Sequence, residues 1–175
     1  EGARNMFRMI VMTRAWNAEH GGVYAPVNEK LAPNPYLDHP RRDLQTTDGQ
    51  RLTMINPAFM TRLIAELAQR QTGTTFHITS LKPIRPGNAP DEWERAALER
   101  FEGGDKERVE VVETAVAEGP PVRQLRYMAP LVTAKACLAC HEKQGYKEGD
   151  IRGGISVTQQ FDPVEATMVP VARQS

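Results

Sequence analysis

The N-terminal part of the chain carries an apolar stripe at helical spacing over residues 6–20. Its members are Met6, Met9, Ile10, Thr13 and Trp16. Positions three and four apart share one face of a helix, so the pattern predicts a helix that ends at Gly21 and Gly22. We expect the stripe to pack against the core, with Arg14 mostly off it. The alternative is that this helix continues upstream into a membrane anchor.

Two further helices are predicted from the signals at their ends. Asn56 precedes Pro57, which places an N-cap side chain before a proline at the first helical position. Gly73 is the expected stop of this helix. Asp91 begins a shorter helix, which Gly103 ends.

Segments that alternate or are rich in β-branched residues predict five strands, at residues 23–25, 74–80, 108–116, 122–133 and 151–158. Residues 26–50 are rich in proline, asparagine and aspartate, and they are predicted to form a long loop. The last three strands follow one another, which favours an antiparallel sheet with helices on one side. The predicted fold class is therefore α+β.

The length of 175 residues suits one domain with a substantial core. We divide it into an N-terminal helix at about 1–20, a core at about 22–160 and a tail at 161–175. The formal net charge is zero, so nothing favours nucleic acid as a partner. No apolar run approaches the roughly 20 residues that span a bilayer. The chain begins with Glu1, and we interpret it as a mature form or a segment of a longer protein.

Residues 137–141 have the pattern C-x-x-C-H, the attachment signature of c-type haem. The thiols of Cys137 and Cys140 can each add to one vinyl group of a single porphyrin, and His141 can bind the iron as the proximal ligand. The chain has two cysteines, and both lie in this motif. The pattern therefore predicts one covalent haem c, with its iron, per chain. Because covalent attachment is usually completed outside the cytoplasm, it also predicts a periplasmic location.

Other interpretations of the cysteine pair have less support. A thioredoxin-like redox pair requires a βαβ setting in which the pair begins a helix, whereas this pair follows a predicted strand and precedes Gly145 and Gly149. A structural zinc site needs four ligands, and the remaining histidines show no zinc spacing: His20, His39 and His77. A disulfide across so short a loop would stabilise the protein little.

The haem motif is one of six segments through which the chain resembles a known family. They occur in order at residues 19–24, 34–37, 55–62, 79–83, 88–94 and 137–141. Over residues 14–158 the chain resembles the haem-c PAS-like sensor domains of bacterial histidine kinases and chemotaxis receptors. The resemblance implies a PAS-like antiparallel sheet flanked by helices, with a long N-terminal helix and one covalent haem c.

The same resemblance implies a function. Such a domain lies outside the cytoplasm, senses redox state or a diatomic ligand such as NO, CO or O2, and relays the signal to a cytoplasmic module. The expected partners are a redox partner or such a ligand, an adjoining membrane segment, and a kinase or chemotaxis module; a homodimer is left open. The domain itself is not expected to be an enzyme. The alternative is a soluble monohaem electron carrier, although such carriers usually have the motif near the start of an all-helical chain.

The ligand in the sixth coordination position of the iron distinguishes these functions. A strong ligand gives a fixed redox centre, whereas an open position admits a small molecule. The candidates are Met60, Met54, Met128, His20 and His77. Met60 is the first candidate because it lies on the apolar face of the second predicted helix, with Met54 and His20 as alternatives. Each also has a structural interpretation, since methionine fills gaps in cores and histidine often serves as a hydrogen-bonded structural residue.

Cations are also needed near the anionic haem propionates. Lys82 and Arg85, in a turn-rich segment, are the candidates, and Arg62 on the second predicted helix is a further one. The simpler interpretation of each is a solvated surface charge.

Overall fold

The structure is a computed structural model, and it describes residues 1–114, 121–133, 145 and 147–161. Its elements, in chain order, are α1 (Gly2–Glu19), β1 (Val23–Pro26), β2 (Asp43–Gln45), β3 (Arg51–Ile55), α2 (Pro57–Thr72), β4 (Thr75–Thr79), a 3-10 turn (Pro86–Asn88), α3 (Glu92–Glu102), β5 (Arg108–Thr114), β6 (Val122–Val132) and β7 (Ile151–Gln160). The predicted helices and the five predicted strands are all present, and the predicted α+β class is confirmed.

Helices α2 and α3 begin and end where their capping residues predict. The side chain of Asn56 accepts a hydrogen bond from the Phe59 backbone N–H at 3.0 Å, and α2 stops at Gly73, whose φ of 71° is left-handed. Asp91 forms a capping box with Glu94 at the start of α3, because each side chain accepts a bond from the other residue's backbone. These local contacts set the boundaries of both helices.

The main sheet is antiparallel, with the strand order β4-β7-β6-β5, so β7 and β6 are its central strands. Tyr127 belongs to the buried cluster that includes Ala3 of α1, whereas its neighbour Met128 belongs to the cluster of Leu98 and Phe101 on α3. Successive residues of a strand point to opposite faces. Helices α1 and α3 therefore cover opposite faces, and the expectation of helices on one side is wrong. A PAS-like antiparallel sheet flanked by helices is confirmed.

A second, three-stranded sheet has the order β1-β3-β2. The prediction of an uninterrupted loop over residues 26–50 is wrong, because β2 pairs with β3 in this sheet. The pairing is partly polar: the hydroxyl of Thr53 donates to a carboxylate oxygen of Asp43 at 2.8 Å. A strand of three residues with a single half-buried apolar side chain, Leu44, is too short to give a recognisable alternation.

The buried face of α1 coincides only in part with its apolar stripe: Ile10 is buried and Met6 packs against the core cluster of Ala3. Its buried residues are Ala3, Ile10, Arg14 and Asn17. Met9 and Trp16 of the predicted stripe are 56% and 52% exposed, so the expectation that they pack in the core is wrong. Among the helices that the structure describes, α1 included, none has both the length and the apolar character required to cross a bilayer.

Two of the buried residues of α1, Arg14 and Asn17, are polar, and their hydrogen-bond partners lie on α2 or just before it. The guanidinium of Arg14 donates to the carbonyl oxygen of Pro57 at 3.0 Å and to the hydroxyl of Thr61 at 2.9 Å. The amide nitrogen of Asn17 donates to the carbonyl oxygen of Ile55 at 2.9 Å. A buried polar side chain that is hydrogen-bonded carries little desolvation penalty, so Arg14 and Asn17 can be buried at this interface.

Candidate haem site

The segment that carries the cysteines connects the two central strands of the main sheet. The predicted attachment residues and proximal ligand lie outside the described residues: Cys137, Cys140 and His141. Both ends of the segment are described. The Thr133 backbone N–H donates to the Asp150 carbonyl at 2.8 Å, and the Gly149 N–H donates to the Thr133 carbonyl at 2.9 Å. These bonds join the two ends of the segment, so the motif belongs to a connection that starts and finishes at one end of the sheet.

A cavity of about 120 Å³ lies beside the base of this connection, between β7, α3 and the segment after β4. Lys82, Arg152 and Glu102 contribute its charged groups. The Nε of Arg152 is buried and has no hydrogen-bond partner among the described residues. The cavity is smaller than the roughly 300–1,000 Å³ of a typical ligand pocket, so it suits a propionate and not a whole porphyrin.

Arg152 is a candidate that the sequence analysis missed. The sequence signal that could have identified Arg152 is its position: it is a cation near the start of the strand that follows the C-x-x-C-H motif. The structure also separates Lys82 from Arg85, the two predicted propionate partners. Lys82 shares its cavity with Arg152, whereas Arg85 lines a second cavity with Arg62.

Three of the candidate distal ligands, Met54, Met60 and His20, lie near the C-terminal end of α1. Near the start of α1, Ala3 clusters with Tyr127, and further along Ile10 clusters with Leu131. Helix α1 therefore runs in the direction of β6, and its last turns extend toward the end where the connection leaves the sheet. The start of α2 packs against these turns through Arg14 and Asn17.

Met60 lies in the first turns of α2 and is half-buried. Its sulphur is 3.6 Å from the amide nitrogen of Asn17, which donates to it. Asn17 is fully buried, and its Oδ1 has no hydrogen-bond partner among the described residues. A thioether sulphur has two lone pairs, so the bond from Asn17 leaves one pair of Met60 for a metal.

Met54 is more enclosed. It is 5% exposed on β3, and its side chain packs over Gly22, where an added Cβ would lie 3.1 Å from the methionine sulphur. Met128 is fully buried in the cluster of Leu98 and Phe101. Its surroundings are those of a methionine that fills the core.

His20 caps the C-terminal end of α1 and is exposed. Its Nδ1 lies 2.8 Å from the carbonyl oxygen of Trp16 and donates to it, and its ring packs on the indole at 4.8 Å between centroids. A proton held on Nδ1 leaves the lone pair on Nε2, which is how metal-binding histidines are commonly oriented. The geometry of His20 therefore suits a ligand.

His77 has no nitrogen free for iron. Its Nδ1 lies 2.9 Å from the carboxylate oxygens of Glu94, and its Nε2 lies 3.0 Å from the carbonyl oxygen of Gly87. Both neighbours accept, so both nitrogens must donate, and the hydrogen bond to Glu94 raises the pKa of His77 above its ordinary value. We conclude that His77 is a structural imidazolium and not a distal ligand. No group of three metal-binding side chains occurs within the described part of the chain.

These features fit a prosthetic group that has an iron and two anionic carboxylates. The unpartnered Nε of Arg152 offers a donor for a propionate beside Lys82. Met60 and His20 each offer a lone pair at the end of the sheet where the connection leaves. This fit concerns the described residues around the motif, because Cys137, Cys140 and His141 lie outside the described part of the chain.

No curated protein among those compared with this chain matches it significantly. Among solved structures, a crystal structure of the cyanobacterial heme-protein Tll0287 is 20% identical, covers 57% of this chain and 69% of its own chain, and has a TM-score of 0.46. A family model described as Tll0287-like matches residues 1–159. Since that match spans most of the sequence, the chain belongs to the Tll0287-like family.

Proposed function

We propose that this protein is a periplasmic sensor domain that carries one covalently bound haem c. The observation that carries the proposal is the C-x-x-C-H motif, which lies in the connection between the central strands β6 and β7. Family membership supports it, because Tll0287, from which the family takes its name, is described as a cyanobacterial heme-protein.

Each residue of the site has a specific role in this proposal. Cys137 and Cys140 form the two thioethers, and His141 is the proximal ligand. Arg152 donates to a propionate, with Lys82 adding positive charge in the same cavity. When bound, the haem supplies an iron whose coordination responds to reduction or to a small ligand such as NO, CO or O2.

Met60 is our proposed sixth ligand, with His20 as the alternative. A change in coordination would release or recapture the Met60 thioether, which Asn17 contacts from α1. Such a change would bias the packing of α1 on α2 between two arrangements. We propose that α1 passes this change to a cytoplasmic kinase or chemotaxis module through an adjoining membrane segment.

The test is to express the protein with the cytochrome c maturation machinery and then denature it. Haem should remain on the denatured wild-type chain and should be lost when Cys137 and Cys140 are both replaced by alanine. Because the chain has two cysteines, the double variant removes every thiol that could bind haem covalently. Wild-type protein without retained haem would overturn the proposal.

A second measurement separates a sensor from an electron carrier. Ferric and ferrous absorption spectra, with and without CO, should differ in spin state or show CO uptake if the domain is a sensor. Identical low-spin spectra without CO uptake would instead indicate a soluble electron-carrier cytochrome. Fractionation of cells that express the full-length protein tests the proposed periplasmic location.

A further inference from the structure

A second cavity, of about 170 Å³, lies between α2 and β4. Arg62 of α2 and Arg85 of the segment that follows β4 both line it, together with Glu66, Gln69 and His77. The two arginines are distant in sequence, and the packing of α2 beside β4 brings them to one space.

Both arginines have uncharged partners. The Nη2 of Arg62 donates to the amide oxygen of Asn34 at 3.4 Å, and its guanidinium lies 4.8 Å from the ring centre of Phe59. The Nη1 of Arg85 donates to the amide oxygen of Asn88 at 3.3 Å. Among the described residues neither forms an ion pair, whereas five other arginines pair with a carboxylate at 2.9 Å or closer: Arg4, Arg42, Arg100, Arg108 and Arg126.

Positive charge in the cavity is therefore incompletely compensated. Burial lowers the pKa of Arg62, and the charge of Arg85 lowers it further. Glu66 acts in the opposite direction, but it is exposed and forms no ion pair with either arginine in the described part of the chain. The charge of His77 is neutralised by Glu94.

We propose that Arg62 and Arg85 form a binding site for a small carboxylate or phosphate group. Guanidinium groups bind such planar or tetrahedral oxyanions through paired, charge-assisted hydrogen bonds. The weak bonds that Asn34 and Asn88 accept, at 3.4 and 3.3 Å, can be exchanged for stronger ones to an anion. The size of the cavity suits a single oxyanion group or a small metabolite that carries one.

Two sources can supply this chemistry. One is a free anion from solution, in which case the domain has a ligand site separate from the haem. The other is a haem propionate, in which case Arg62 and Arg85 contact the prosthetic group in place of, or in addition to, Arg152. The first source does not depend on haem attachment.

The experiment uses the haem-loaded protein and compares inorganic phosphate and succinate with sodium chloride at matched ionic strength. Thermal unfolding is measured for wild type, Arg62→Gln, Arg85→Gln and the control Arg70→Gln. Arg70 is an exposed residue in the last turn of α2 that does not line the cavity. Its replacement by Gln makes the same change in net charge as the two cavity variants, but at a distance from the proposed site. The same proteins are titrated for their haem midpoint potential. Arg62→Lys is added because it keeps the charge but loses the paired donors.

For a free anion, phosphate or succinate raises the wild-type and Arg70→Gln melting temperatures beyond chloride. Apparent affinity falls roughly ten-fold or more in Arg62→Gln and in Arg85→Gln, and less in Arg62→Lys. For a propionate, the anions have no specific effect, but the midpoint potential shifts in Arg62→Gln and Arg85→Gln and not in Arg70→Gln. The proposal is overturned if Arg70→Gln behaves like the cavity variants, or if neither quantity changes.

Discussion

The side-chain amide of Asn17 directs its nitrogen at the sulphur of Met60, 3.6 Å away. Asn17 is fully buried on α1, and Met60 lies in the first turns of α2. The same nitrogen donates to the carbonyl oxygen of Ile55 at 2.9 Å, so the amide is held in place while it contacts the thioether. A displacement of Met60 therefore changes the environment of a buried polar group on the N-terminal helix.

We expect Met60→Ala to convert the ferric haem from low spin toward high spin, because the variant lacks the proposed sixth ligand. The measurement is the absorption spectrum of the holoprotein in both redox states. Met9→Ala is the matched control, since Met9 is 56% exposed on α1. If Met60→Ala keeps the wild-type spectrum while His20→Ala changes it, the sixth ligand is His20.

Arg14→Leu should lower the free energy of unfolding by about 1.5–3 kcal/mol, the usual range for hydrogen bonds to a charged group. The reason is that the carbonyl of Pro57 and the hydroxyl of Thr61 would lose a buried donor. Urea denaturation followed by circular dichroism measures the change. Arg8→Leu is the control: its side chain is 62% exposed, so we expect a change within about 0.5 kcal/mol. Equal losses in the two variants would contradict this interpretation.

The His77–Glu94 pair predicts a specific pH dependence of stability. The hydrogen bond with Glu94 raises the pKa of His77 above 6.5. The stability that His77 contributes is therefore fully present below pH 6.5 and is lost as pH rises through the folded-state pKa of His77. Burial alone would raise the pKa of Glu94, but hydrogen bonds from His77 and Ser156 outweigh it and lower the pKa below 4.5. The contribution of Glu94 is therefore present above 4.5 and is lost as pH falls through its folded-state value.

The pair should thus stabilise the fold most between pH 4.5 and 6.5. We expect the free energy of unfolding to fall as pH rises above 6.5 in wild type, and to fall less in His77→Gln. Asp91 and Arg126 also face this pair, because Arg126 lies 2.7 Å from Asp91 and 3.7 Å from Glu94. His39→Gln should retain the wild-type slope. A His77→Gln slope equal to that of wild type would show that the pair does not control this transition.

Gly153→Ala should destabilise the protein by about 1–3 kcal/mol or more, as over-packing and backbone strain usually do. Gly153 has a φ of 151°, and a Cβ there would collide with the carbonyl oxygen of Thr79 on the neighbouring strand. Thermal or urea unfolding measures the loss. Gly2→Ala is the control, because the nearest atom to its Cβ position is 4.0 Å away and alanine is favoured in helices. A neutral Gly153→Ala would mean that β4 and β7 can separate without cost.

The helix boundaries could be predicted because their causes are local. Asn56 and Gly73 bracket α2, and Asp91 and Gly103 bracket α3, each through contacts within a few residues. The strands of the main sheet are long enough for alternation to be seen. The haem motif is equally local, since its chemistry depends on residues that are adjacent in sequence.

Features set by tertiary contacts could not be predicted. The burial of Arg14 on α1 depends on acceptors that α2 brings, and hydrophobic patterning does not register a polar residue with a distant partner. His77 remains a ligand candidate until Glu94 is seen to hold one of its nitrogens. In the same way, the meeting of Lys82 with Arg152 depends on how the segment after β4 packs beside β7.

The backbone bond between Thr133 and Asp150 closes the ladder of the two middle strands before the cysteine-bearing insert begins. An insert bounded in this way is decoupled from the register of the sheet, so its length and composition can vary while every strand keeps its partner. The domain is therefore a natural host for chimaeras, in which the stretch between these two residues is exchanged for another cofactor-binding sequence and the surrounding architecture is retained.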